Sequence, residues 1–221
     1  RIFLPELDAA FETTQNNPHH CYTVGEHLMH CMLYTESDKS MRIAALLHDI
    51  GKPVTKTTDE QGIDHFHGHA GVGEEMAARI LRRLKFDNDT ITHVRKLVKY
   101  HDYPIETTPR AVRRAINTIG ETYFSDVLAI KKADMMAQST YQRQEKEGHL
   151  AQVEALYQQI LEQNQCVSLK SLALTGNDLI ALGIPKGKEI GIVLNELLED
   201  VIAQPEHNNR EYLIQLVQKH A

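Results

Sequence analysis

Tryptophan is absent from this chain of 221 residues, cysteine occurs three times and aromatic residues make up only 6%. Cys21, Cys31 and Cys166 are odd in number and have no CxxC spacing. That excludes a disulfide framework and a thiolate zinc finger, and it fits reduced thiols, so a cytoplasmic location is expected. No apolar run approaches the roughly 18 residues of a membrane helix, so no membrane contact is expected. A strong field of one sign is missing too. The formal net charge is −6, with 19 Lys+Arg against 21 Asp+Glu in residues 1–150 and 5 against 9 in residues 151–221. Any nucleic-acid contact must therefore be local. The start, Arg1-Ile2-Phe3-Leu4-Pro5, has neither an initiator Met nor a signal-peptide pattern, so a piece of a longer protein is expected. What the chain has in excess is histidine, with thirteen.

Helix signals dominate. Residues 40–48 carry apolar positions at 43, 46 and 47 and are closed by Gly51 and Pro53. Asp87 or Asn88 can cap a helix that runs to about Tyr100, with Ile91, Val94 and Val98 on one face. Thr108-Pro109 opens another helix that Gly120 ends, and Thr175 with Asp178 forms a capping box. Strand alternation is confined to residues 62–67 and 167–174. There is no βαβ rhythm, so the expected class is mainly α. A polar stretch at 142–149 marks a soft seam near residue 145, which divides the chain into 1–145 and a helical, acidic 146–221.

The strongest local feature is His48-Asp49 within LLHDIGKP. A carboxylate beside Leu46-Leu47 at the end of an apolar helix needs a cation. Two readings stand at this point: His48 and Asp49 ligate one metal ion, or Asp49 pairs with Lys52 in a structural turn. Further ligands fall on apolar faces. Asp134 shares the face of Ile130 and Val127, and His101 shares that of Ile91, Val94 and Val98, whereas His93 projects about 120° away. His69 is in register with Val72, Met76 and Ile80, and His27 lies beside Val24 and Cys31 in a helix-like stretch. Each histidine alone reads as a core or surface residue; four His and two Asp facing inward read as one site.

The ordered set His27, His48-Asp49, His69, His101 and Asp134 resembles the HD superfamily of metal-dependent phosphohydrolases. The resemblance implies an HD-domain helical bundle. In it His27, His48, Asp49 and Asp134 hold a first divalent ion, Asp49 is able to bridge, and His69 and His101 complete a two-metal site. The ligands suit Mn, Mg, Ni, Co, Fe or Zn, as one ion or two. The implied chemistry is hydrolysis of a phosphate-ester or nucleotide substrate, with Asp49 central and Lys52 placed to neutralise the substrate phosphate, to pair with Asp49 or simply as a surface lysine. His65 and His67 alternate with His69, as substrate-facing groups or as part of an exposed turn.

Two flanking stretches extend the likeness. Residues 15–24 (QNNPHHCYTV) lead into the His27 segment, and TGNDL at 175–179 continues to PKGKEIG at 185–191 and Leu194. Both resemble the part of bacterial CCA-adding tRNA nucleotidyltransferases, the poly(A) polymerase-like family, that follows the catalytic head. The resemblance covers nearly the whole chain. It implies an HD body at 1–145, a smaller helical tRNA-binding tail at 146–221 and tRNA as the partner of the full-length protein. A nucleotidyltransferase head needs GS followed by a DxD-type pair; Asp87-Asn88-Asp89 lacks the GS, so no CCA addition is expected from this chain alone. In that setting Arg110, Arg113, Arg114, Lys131 and Lys132 are candidates for RNA-backbone contact, with a solvated helix face as the alternative. Three activities remain: a phosphohydrolase; a tRNA-binding module with a structural metal or none; and, below these, a di-iron oxygenase on the same six ligands.

Overall fold

Capping side chains set where the helices begin. In the computed structural model, which describes residues 3–220, the order is α1 (Glu6–Glu12), α2 (Val24–Leu33), α3 (Lys39–Leu47), α4 (Lys52–Thr55), β1 (Thr57–Thr58), β2 (Asp64–His65), α5 (His69–Arg83) and α6 (Asn88–Tyr100). Then follow α7 (Pro109–Ile119), α8 (Glu121–Ala137), α9 (Arg143–Glu162), α10 (Gly176–Ala181), α11 (Lys188–Ala203) and α12 (Arg210–His220). The expected start at Arg1-Ile2 lies outside the described residues. Thr23 caps α2 through a reciprocal box with Glu26, Asp87 caps α6, Thr108 caps α7 with Pro109 behind it, and Thr175 with Asp178 boxes α10. Gly120 ends α7 at φ +103, a conformation that favours glycine. The mainly α class expected from the sequence holds, and no helix among the described residues is long and apolar enough to cross a membrane.

Of the two expected strand segments, 62–67 supplies only β2, paired antiparallel with β1 through Thr57↔His65 and Thr58↔Asp64. The other, 167–174, is a turn and not a strand. Its alternation reflects burial of Leu172 and Leu174 about a backbone that the Asn208 amide satisfies, accepting from Ala173 N and donating to Ser171 O. A side chain there does what a neighbouring strand would otherwise do.

The chain folds into two compact units. The first comprises the chain up to Pro104 with Thr122–Ala151; the second comprises Ile105–Glu121 with the chain from Gln152 onward. The chain crosses between them at 104/105, 121/122 and 151/152, the last a few residues beyond the sequence seam. In the first unit α1 packs on α2, α2 on α3, α3 on α6 and α6 on α5, around Leu28, Leu47, Ile50, Leu81 and Leu97. Each such side chain contributes about 1.5–3 kcal/mol by leaving water. α8 is tied to α6 by His93 and Asp126 at 2.7 Å. The buried stripe of α5 is Gly73, Ala77, Ile80 and Leu81, and Val72, expected to face inward, is 36% exposed. Glycine and alanine carry that face, which an apolar-bulk pattern does not register.

In the second unit α11 packs against α7, α10 and α12 over Leu174, Leu179, Leu197, Val201, Ile202 and Leu213. Arg113 does not serve as an RNA contact here. It is 4% exposed, its Nε donates to Ile202 O at 2.8 Å, Nη1 to Gln165 Oε1 at 2.9 Å and Nη2 to Ala203 O at 3.3 Å. The guanidinium thus satisfies the carbonyls that the end of α11 leaves open. Arg113→Met is expected to lower stability by about 2–4 kcal/mol, read as a lower urea midpoint at unchanged slope. Arg114→Ala, which removes only an exposed pair with Glu199, is expected to cost no more than about 0.5 kcal/mol. Equal midpoints for the two variants would refute this role for Arg113.

Candidate metal centre

Helix ends bring the histidines together. His48 is the C-terminal cap of α3 and His101 that of α6, while His69 is the first residue of α5, after Gly68 at φ +76. His27 lies on the buried face of α2, and Asp134 near the end of α8. Asp49 follows in the turn after α3, held by Ile50 N bonding Leu47 O and Lys52 N bonding Asp49 O.

Three of the imidazoles are oriented in the same way. Nδ1 of His48, His69 and His101 lies 2.8 Å from the carbonyl oxygen three residues back, of Ala45, Phe66 and Val98 respectively. A carbonyl has no proton to give, so each Nδ1 donates, which leaves Nε2 as the atom that can ligate a cation when the ring is neutral. These Nε2 atoms point at other acceptors. His69 and His101 stand Nε2 to Nε2 at 3.2 Å, and His48 and His27 at 3.3 Å. Asp134 Oδ1 is 2.9 Å from His27 Nε2 and 3.8 Å from His48 Nε2.

Asp49 joins the two pairs. It is 2% exposed, with Oδ2 at 3.3 Å from His48 Nε2 and 3.6 Å from His27 Nε2, and Oδ1 at 3.2 Å from His69 Nε2 and 3.4 Å from His101 Nε2. Oδ1 is buried and receives no hydrogen bond among the described residues. Nitrogens and oxygens crowded this closely call for positive charge among them, as protons on the imidazoles or as a bound cation. The donor set, imidazole nitrogens with carboxylates, fits hard or borderline divalent ions in two adjoining places. Ligand atoms within 4.8 Å of one another come in three overlapping groups, His27–His48–Asp134, His48–Asp49–His101 and His69–His101–Asp102, so Asp49 links the His27–His48–Asp134 side to the His69–His101–Asp102 side.

Electrostatics in the cluster follow the same logic. Burial disfavours the charged form of every member, yet Asp49 lifts His48 well above the usual imidazole range and raises His69 despite that burial. Asp49 and Asp134 stay well below the usual carboxylate range: burial pulls upward and is outweighed, by Lys52 and His48 for Asp49 and by His27 and His48 for Asp134. For His101 burial wins and the shift is downward. His20, whose ring meets that of His27 edge-on at 5.1 Å, is lowered to about 3 by burial and by Lys52, and so is neutral.

All six residues of the expected ligand set thus converge. Lys52 is 6% exposed, and its ammonium lies 2.6 Å from Asp49 Oδ2, 2.8 Å from Gln15 Oε1 and 3.5 Å from His20 Nε2. These three neighbours take up its donors, so it holds Asp49 and leaves nothing for a substrate phosphate. Asp102 is not among the expected residues; its carboxylate lies 3.7 Å from His69 Nε2. Its sequence signal is His101-Asp102, a second His-Asp dipeptide. Gln138 is a further addition, donating from Nε2 to Asp134 Oδ1 at 3.1 Å and accepting from Lys146 Nζ at 2.7 Å.

A cavity of about 990 Å³ opens on the cluster, lined by His20, Phe66, His69, His101, Lys131 and Asp134 among others. His65 and His67, stacked at 5.6 Å, also line it, and His65 pairs with Asp59 at 2.8 Å. Of the remaining basic candidates, Lys131 faces this cavity, whereas Arg110, Arg114 and Lys132 are exposed.

Known proteins place the chain. The family described as tRNA nucleotidyltransferase domain 2, putative, matches residues 54–217, a span that contains His69, His101, Asp102 and Asp134. The CC-adding tRNA nucleotidyltransferase of Thermus thermophilus is 31% identical over 205 residues, 90% of this chain and 45% of its own length. The A-adding tRNA nucleotidyltransferase of Deinococcus radiodurans is 31% identical over 204 residues, 90% of this chain and 46% of its own length. The multifunctional CCA protein of a Janthinobacterium species is 37% identical over 90 residues, 39% of this chain and 21% of its own length. The chain therefore spans about half the length, or less, of the curated relatives it matches. With residues 54–217 of 221 matched, it belongs to the tRNA nucleotidyltransferase family.

Proposed function

We propose that the first unit is a divalent-metal-dependent phosphohydrolase of the HD type, acting on a phosphomonoester or a 2′,3′-cyclic phosphodiester at an RNA end, within a tRNA nucleotidyltransferase-like protein. The observation that carries this is the convergence on Asp49, whose two oxygens each face a different histidine pair. His27, His48, Asp134 and Asp49 would hold one ion, and His69, His101, Asp49 and Asp102 the other. Bound ions supply Lewis-acid polarisation of a phosphoryl oxygen and lower the pKa of water at the site. The chain's own part is orientation. The three Nδ1–carbonyl bonds fix the tautomers, Lys52 fixes Asp49, and Gln138 fixes Asp134.

The test is release of phosphate, or opening of a cyclic phosphodiester, by the purified chain with added Mn, Co, Ni or Mg. His48→Ala and Asp49→Ala are both expected to abolish it. Equal activity in the wild type and both variants would end this reading.

Family membership supports a second reading, in which the chain holds tRNA for a catalytic head and the cluster keeps a structural metal or none. Arg110→Glu with Arg114→Glu should then weaken tRNA binding and flatten its salt dependence. Undetectable tRNA affinity of the wild-type chain at low salt would refute that role for this chain.

A further inference from the structure

We propose that Lys131 and Lys146 form a second anion seat beside the histidine–aspartate cluster, which takes the phosphodiester next to the terminal phosphate of a single-stranded RNA end. This rests on the phosphohydrolase reading of the cluster and names what the cavity selects.

Lys131 lies on α8 one turn before Asp134, about 4.5 Å along the helix axis, and its side chain lines the cavity. It is half-buried, and burial pulls its pKa down while Asp102 and Asp134 act on it from a distance. Its ammonium makes no hydrogen bond or close ion pair among the described residues. A half-buried ammonium with no protein acceptor is free to take an anion, and the space in front of it is the cavity.

Lys146 supplies the second charge from α9. It is anchored by neutral groups only, donating to Gln138 Oε1 at 2.7 Å and to His19 Nδ1 at 3.1 Å. Neither partner cancels its charge, and Gln138 in turn touches Asp134. Lys146 thus stands one side chain away from the cluster.

Lys52, the remaining lysine of the cavity wall, is already committed to Asp49. The cavity therefore has two kinds of cationic provision. One is the ion-holding cluster for the phosphate that reacts; the other is a pair of lysines for a phosphate that does not. About 990 Å³ is also at the upper end of the range for small-molecule sites, so the cavity has room for more than a lone phosphate group. A second phosphate could equally belong to a nucleoside diphosphate; the open cavity and the family's tRNA relatives favour the strand.

The experiment compares three substrates of the full chain with added Mn: a 2′,3′-cyclic mononucleotide, a short RNA ending in the same cyclic nucleotide, and a nucleoside diphosphate. The quantity read is the ratio of kcat/KM for the RNA to that for the mononucleotide. Wild type is expected to favour the RNA, and Lys131→Met to reduce the ratio at least about tenfold, the value of one charge-assisted hydrogen bond. The salt slope for the RNA should also flatten by about 0.7 for each phosphate that the variant no longer neutralises. Lys146→Met should act in the same direction. An unchanged ratio in both variants overturns the seat, and a selective loss on the diphosphate alone overturns the RNA assignment. If wild type turns over none of the three, the phosphohydrolase reading fails and the seat is judged by binding. Fluorescence anisotropy of a 3′-phosphorylated RNA should then show about tenfold weaker affinity for Lys131→Met, and equal affinities would overturn it.

Discussion

Asp49→Ala is expected to abolish stoichiometric divalent-cation binding at both places in the cluster, with affinity falling at least about 100-fold. Loss of a peripheral ligand removes one corner of one place. Asp49 is different because Oδ2 faces His27 and His48 while Oδ1 faces His69 and His101. The check is titration with Mn followed by elemental analysis of the desalted protein. Asp102→Ala, which touches only the His69 side, should lose at most one ion per chain. Wild-type Mn affinity and stoichiometry in Asp49→Ala would refute the bridging role.

The same substitution also strips Lys52 of its carboxylate, and a buried charge left unpaired costs about 3–5 kcal/mol. Failure to bind metal could then reflect failure to fold. Asp49→Ala with Lys52→Met removes both charges, so stability should return to within about 1–2 kcal/mol of wild type while cation binding stays absent. Circular dichroism melts and the Mn titration on that double variant separate the two effects.

Local chemistry makes most of the helices legible. Asp87, Thr108 and Thr175 cap where the sequence places them, because a cap is an interaction across three residues. The six converging residues are legible because each sits on an apolar face or beside one, where a polar side chain must be compensated. Asp102 is harder to find: α6 ends at Tyr100, and beyond a helix end the 3.6-residue phase no longer says where a side chain points. Arg113 shows the opposite case. It lies roughly 110° from the centre of the Val112, Ala115, Ile116 and Ile119 stripe, at its edge, whereas Arg110 and Arg114 lie behind it. Its acceptors Ile202 and Ala203 are 89 and 90 residues away, beyond any local pattern. The inclusion of residues 105–121 in the second unit is non-local in the same sense.

Gly51→Ala is the second substitution with a large expected effect, and it acts with no change in charge. Gly51 has φ −80, so backbone conformation is no obstacle to alanine. Space is the obstacle. A Cβ there would collide with His69 O and stand 2.8 Å from Gly73 N and 3.2 Å from Gly73 Cα, all backbone atoms of α5 that no rotamer change can move. Gly73 is the reciprocal contact, since its own Cβ would meet Val98 Cγ1 at 3.3 Å and His48 O at 3.5 Å. The turn carrying His48-Asp49 thus lies directly against the first turn of α5, and that closeness brings His69 within 3.2 Å of Asp49. One methyl must push the two segments apart, at about 1–3 kcal/mol for overpacking. The distance added falls between Asp49 and His69, so cation binding on the His69–His101 side should weaken more than on the His27–His48 side. Mn titration should show one of two steps weakened while the other persists, with a lower melting temperature. Wild-type binding and melting in Gly51→Ala would show that the close approach does not position His69. Gly71→Ala, whose Cβ meets nothing within 4 Å, is the control expected to leave both unchanged.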